Sequence, residues 1–227
     1  MKAFNDTNVP IAYVFLFEPQ CVMARHIICD EYDEVYWSEN VVDEFQDRVG
    51  EKQENLLRFY EKLEIELYSY RKFEYSLRQL EKFAENFSYA NKKQEGDVLD
   101  SIKLFWNYYF QHSNTCVTEN MIDSVKDFNT FLQVIIFDRM DFCEESHIIT
   151  DELHKRTNRY PKLYALLGKN NVHKEDRIIA LDAHDFSKTL DNPLDFITFD
   201  RTCCMGVSKS NLHFNRVKGL KDYDFLT

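Results

Sequence analysis

The chain has 227 residues, 44% of them hydrophobic, and a formal net charge of -11. That size and apolar content can bury a full core, which excludes a disordered chain, and the acidic balance excludes indiscriminate binding to nucleic acid. No run of about 18 consecutive apolar residues offers a membrane span, and the start Met1-Lys2-Ala3-Phe4-Asn5-Asp6 lacks a basic region followed by a long apolar stretch, so the expectation is a cytoplasmic protein with no membrane partner.

Residues 2–5 read as a first strand, and the run from Val9 to Phe17 as a helix that Asn8 could cap, with Pro10 in its first turn. Asp6 then falls in the turn between them. Glu34-Val35-Tyr36-Trp37-Ser38 has strand composition, and Ser38 is a reasonable cap for a following helix that carries Glu44. From Glu51 to about Phe87, apolar residues recur at mostly three- or four-residue spacing, the pattern of one long helix with a packed stripe. Further helices are expected at about 97–112, 119–143 and 146–158.

Near the end the pattern changes again. Residues 173–184 read as a helix with an apolar stripe and Asp176 in its first turn, Asn192-Pro193 as a turn, 195–200 as a strand closing on Asp200, and 212–217 as a final strand. His184 and Asp185 are expected on a polar surface. Strand and helix alternate at both ends with a helical block between, which predicts an α/β fold with a parallel sheet interrupted by an insertion. The expected boundaries are 1–50 with 170–227 for the sheet-bearing core, and 51–169 for the helical insertion. So long a helix asks for a partner surface, within the chain or in a second copy.

The six cysteines form no C-x-x-C pair and no zinc-ligand spacing, so free thiols are expected. Charge is uneven: residues 1–146 carry 15 Lys/Arg against 28 Asp/Glu, while 147–227 carry 13 against 11. Lys155, Arg156, Arg159, Lys162, Lys169, Lys174 and Arg177 concentrate the positive charge. A basic surface beside carboxylates would suit a polyanionic substrate, although a solvated helix face gives the same pattern.

Asp6, Glu44, Asp176 and Asp200 each stand at or near the end of an apolar element. In open α/β sheets ligands bind at the carboxyl ends of the strands. With no catalytic Cys, Ser or His motif in view, a carboxylate cage is the chemistry on offer. Hydrolysis of a phosphodiester needs a hydroxide near neutral pH and neutralisation of phosphoryl charge, both of which Mg²⁺ or Mn²⁺ supplies from oxygen ligands.

Four pieces in order, Asp6-Thr7-Asn8-Val9, Val41-Val42-Asp43-Glu44-Phe45, the run from Asp176 to Ala183, and Phe196-Ile197-Thr198-Phe199-Asp200, resemble the PIN-domain nucleases. The resemblance covers about residues 1–46 and 172–220, and the block from about 50 to 165 has no counterpart in a minimal member. It implies a PIN-like three-layer α/β/α core with a short central parallel sheet. It also implies a metal-dependent endoribonuclease with Asp6, Glu44, Asp176 and Asp200 as catalytic metal ligands. Thr7, Asn8 and Thr198 would orient those carboxylates, and Lys155, Arg156, Arg159, Lys174, Arg177 and Arg201 would position substrate phosphates. Asp182 is the alternative third acid. RNA is the expected substrate, an inhibitory protein of the toxin-antitoxin kind or a second copy an expected partner. The competing reading is a non-catalytic PIN-like module that binds RNA or protein through its helical insertion. An aspartate-nucleophile phosphatase is disfavoured, because Asn8 stands where its second acid belongs.

Overall fold

The computed structural model describes residues 1–70, 73–88, 95–111, 113–150 and 156–226. The chain divides into two compact units. Unit one holds residues 1–14, 19–48 and 140–227; unit two holds 15–18 and 49–139.

In chain order the elements are β1 (Lys2–Asn5), α1 (Asn8–Val14), α2 (Cys21–His26), a short π-helical segment (Ile27–Glu31), β2 (Glu34–Ser38), α3 (Glu39–Tyr70), β3 (Glu74–Tyr75), α4 (Leu77–Ser88) and α5 (Glu95–Phe110). They continue as β4 (Cys116–Val117), α6 (Thr118–Ser146), β5 (His147–Thr150), α7 (Arg156–Arg159), α8 (Pro161–Lys169), α9 (Lys174–Ser187), β6 (Asp195–Ile197), α10 (Arg201–Ser208), β7 (Arg216–Lys218) and a 3₁₀ segment (Leu220–Leu226).

Unit one is built on a five-stranded sheet of order β5-β2-β1-β6-β7, with every described pairing parallel. Parallel strands need both faces covered, and the register shows how that is met. Phe4 lies beside Tyr36 and Phe196 on one face, where Phe186 of α9 packs on Tyr36 at 4.7 Å. On the other face Trp37 lies against Phe45 of α3 and stacks on His147 of β5. His147 is buried; its Nδ1 meets the Cys143 carbonyl at 2.8 Å and its Nε2 meets Asn5 Nδ2 at 3.1 Å. Burial holds its pKa down to about 4, so it is neutral there.

Sequence and structure differ in several places. The helix expected over 51–87 is α3 and α4, and α3 starts at Glu39. Val41, Phe45, Val49, Leu56, Tyr60, Leu63 and Leu67, all buried, continue one stripe through Gly50, whose helix cost of about 1 kcal/mol is outweighed by that burial. The helix expected over 146–158 begins instead as β5, because Ile148-Ile149-Thr150 is a β-branched run that pairs with β2. Residues 140–169 therefore belong with the sheet unit, and the division falls at 139/140 rather than at 169/170. The first helix stops at Val14, β6 at Ile197, and the last strand is Arg216–Lys218. Asn8 and Ser38 do not act as the expected side-chain caps: Ser38 Oγ is buried and has no partner among the described residues, and the Asn8 amide is turned elsewhere.

Unit two is helical apart from the β3-β4 pair. Its core is aromatic: Phe59 meets Tyr60, Phe83 and Phe87, while Phe128 meets Tyr60 and Phe105, in edge or tilted contacts worth about 0.5–1.5 kcal/mol each beyond area burial. Of the stripe expected to be core, Leu56, Phe59, Tyr60, Leu63, Leu67 and Leu80 are buried and Leu77 and Phe83 half-buried, while the side chain of Tyr70 lies outside the described residues. All six cysteines are free thiols, with Cys203 buried and its neighbour Cys204 half-exposed. Among the described residues no helix is long and apolar enough to cross a membrane.

Candidate metal centre

Strand order defines the site. From β1 the chain adds β2 and β5 on one side, then returns to add β6 and β7 on the other. The reversal falls between β1 and β6, and the carboxyl edge beside such a switch point is where an open α/β sheet forms its crevice. Asp6 follows β1 there, and Thr198 follows β6. The two strand ends are joined by the Asp6 amide donating to the Ile197 carbonyl at 2.9 Å.

Asp6 is 2% exposed, and three donors fix its carboxylate while two further hydrogen bonds hold those neighbours in place. Thr198 Oγ1 donates to Oδ2 at 2.6 Å, Asn8 Nδ2 to Oδ2 at 2.7 Å, and the Thr7 amide to Oδ1 at 2.8 Å. Asn8 Nδ2 also reaches Thr198 Oγ1 at 3.2 Å, and its Oδ1 accepts from the Phe199 amide at 2.7 Å. Asn8 thus ties the turn after β1 to the turn after β6.

The remaining acids arrive from three helices. Glu44, on α3, accepts from Thr7 Oγ1 at 2.8 Å and pairs with Arg48 at 2.6 Å. Asp200 caps α10, taking the Cys203 amide on Oδ1 at 2.7 Å, while its own amide donates to Thr198 Oγ1 at 3.1 Å. Asp176 lies in the first turn of α9 and is half-buried. Thr7, Asn8 and Thr198, expected to orient the carboxylates, therefore all contact the acids.

Mutual repulsion links these groups. Burial pushes the Asp6 carboxyl up to about 7, opposed by the Thr198 hydrogen bond and reinforced by the charges of Asp176 and Glu44. Asp176 is raised by burial and then by Asp200 and Glu44. Cys203, whose sulfur was not anticipated from sequence, is a buried thiol raised first by burial and then by Asp6, Asp176 and Asp200. Only its position after Asp200 could have signalled it. Asp182, the alternative third acid, is 1% exposed and accepts from Asn40 Nδ2 at 2.8 Å.

Of the expected phosphate-positioning cations, Lys174 and Arg201 are exposed beside Asp176 and Asp200 and form no ion pair among the described residues. Arg159 is engaged by Asp185, and Arg177 donates to the Val172 carbonyl at 2.7 Å and covers the Tyr164 ring. Lys155 and the side chain of Arg156 lie outside the described residues. His184 and Asp185, expected on the surface, are buried: His184 Nδ1 accepts from the His213 amide and Asp185 from Tyr160.

Carboxylate oxygens are the ligands a hard divalent cation takes, and here the charges of Asp176 and Glu44 raise Asp6 while those of Asp200 and Glu44 raise Asp176. Among the described residues, no three His, Cys, Asp or Glu side chains converge closely enough to grip one ion. Mg²⁺ does not require such a closed set, since it keeps several waters and takes one or two carboxylates with substrate phosphate supplying the rest. In comparisons with known proteins, the chain matches no family model, no curated protein and no solved structure.

Proposed function

We propose that the protein is a metal-dependent, PIN-like endoribonuclease that hydrolyses phosphodiester bonds in the crevice between β1 and β6. Asp6 carries the reading. A carboxylate so deeply buried, repelled by two further acids and given no cation among the described residues, is costly to the fold, and a bound divalent ion would offset that cost.

In this reading Asp6 and Asp200 would hold the ion directly, and Glu44 and Asp176 would complete its surroundings directly or through water. When bound, Mg²⁺ or Mn²⁺ supplies hydroxide near neutral pH and neutralises charge on the phosphoryl oxygens. Thr198, Asn8 and the Thr7 amide fix the orientation of Asp6, so its lone pairs aim one way before any ligand arrives. Thr7 does the same for Glu44. Lys174 and Arg201 draw the phosphate backbone to the rim and orient it.

The test is cleavage of a labelled single-stranded RNA with Mn²⁺ or Mg²⁺. Activity abolished by EDTA and reduced by about 100-fold or more in Asp6→Asn and in Asp200→Asn, with folding intact, is the expected result. Full activity in either variant overturns the assignment, and binding of RNA without cleavage favours a non-catalytic module.

A further inference from the structure

We propose that Asn40 and Asp182 form a positioning pair that sets the spacing of Glu44 and Asp176, and through them the divalent-cation affinity of the site. The inference rests on the cation-dependent reading above.

Asn40 lies in the first turn of α3, four residues before Glu44, so both project from the same side of one helix about 6 Å apart along its axis. Asp182 lies on α9, about 9 Å along the axis from Asp176. The bond from Asn40 Nδ2 to Asp182 Oδ2, 2.8 Å long, joins these two helices directly. Each helix delivers one acid to the same crevice, and those two acids repel. Glu44 and Asp176 therefore push α3 and α9 apart at this edge, while the tether opposes that push.

Packing alone does not ask for the pair. Asp182 is 1% exposed, among the buried Ile179, Ala180 and Ala183 of its helix. An apolar residue of similar volume at such a position is often neutral or stabilising, whereas a buried carboxylate must be desolvated. What a hydrogen bond adds is direction. It fixes the rotation and advance of α9 against α3, the two variables that set the separation of Glu44 from Asp176.

The experiment titrates Mn²⁺ alone into the full chain, reading free Mn²⁺ by electron paramagnetic resonance, with metal-free thermal unfolding measured in parallel. The proteins are wild type, Asp6→Asn, Asn40→Ala, Asp182→Ala and the double variant Asn40→Asp with Asp182→Asn, in which the same bond runs in reverse. Wild type binds and Asp6→Asn does not. Asn40→Ala and Asp182→Ala, each of which deletes one partner of the bond, each weaken Mn²⁺ binding by about tenfold, whatever their unfolding temperatures, and the double variant recovers affinity. If Asp182→Ala does not fold, the half-exposed Asn40→Ala decides alone. Wild-type affinity in the single variants, with only the unfolding temperature lowered, makes the pair merely structural and overturns the inference. Absence of Mn²⁺ binding by wild type removes the underlying reading, and is recognised because wild type and Asp6→Asn then coincide.

Discussion

Both units bury acidic side chains, and they treat them in opposite ways. In unit two Lys52 sits between Glu18 and Asp97, 3.0 Å from the latter, with all three side chains only 18–22% exposed. Unit one repeats the device at Lys218, which lies between Glu31 at 2.6 Å and Asp195 at 3.4 Å. At the β1/β6 crevice the device is missing. There the described cation paired with an acid is Arg48, itself 62% exposed, and it serves Glu44 at the rim. A buried acid with a buried lysine is a finished structural element; several acids without one leave charge for something else to neutralise.

The sharpest way to break this comparison is to remove a lysine. Lys52→Met strands Glu18 and Asp97, and a loss of about 3–5 kcal/mol in urea unfolding is expected. A loss no larger than that of an exposed lysine would mean that the two sites do not differ in kind.

Asp6→Asn should act in the opposite direction. The folded Asp6 pKa, about 7, lies above its ordinary 3.8, so the group is at no disadvantage below pH 3.8 and destabilises progressively as pH rises through 7. Without metal, the variant should be more stable than wild type by a few kcal/mol at pH 8 and equal to it at low pH. His147, neutral when folded with a pKa near 4 against an ordinary 6.5, makes both proteins lose stability as pH falls below 6.5. The difference between the two unfolding curves therefore isolates Asp6. A variant less stable than wild type at pH 8 would contradict the charge account.

Smaller effects test the supports. Thr198→Val deletes the 2.6 Å bond to Asp6 and should cost about 1–3 kcal/mol by denaturation. Arg48→Ala removes an exposed partner and should change stability by no more than about 1 kcal/mol, while Mn²⁺ affinity rises because Glu44 is released. An affinity that falls instead would assign Arg48 a supporting role.

Much of the crevice was legible in the sequence because the same residues that end the strands carry the chemistry. Asp6 after Ala3-Phe4-Asn5 and Asp200 after Phe196-Ile197-Thr198 both stand where an apolar run stops. The switch point itself was not legible. It depends on β6 pairing with β1 rather than adding beyond β2, which no local pattern states. The strand β5 was missed as well: four residues follow α6 with no turn signal between Ser146 and His147, so local pattern extends the helix through it. Asn8 misled for a related reason: the residue types that cap helices also hold carboxylates, and sequence alone does not say which an amide will do. The burial of Asp182 and Asp185 follows from the face of α9 turned to the sheet and to Tyr160, which spacing from Asp176 does not reveal. In unit two, by contrast, periodicity located the core, since a stripe of Leu, Phe and Tyr has one satisfactory use.

The central claim is that a divalent ion completes the charge of the crevice, and it is tested most directly by calorimetric titration of Mn²⁺ in two buffers of different ionisation enthalpy. The account predicts proton release on binding at pH 6.5, little release at pH 8.5 where Asp6 is already ionised, and no binding by Asp6→Asn. Binding with equal affinity in Asp6→Asn, or no Mn²⁺ binding by wild type at either pH, would contradict it.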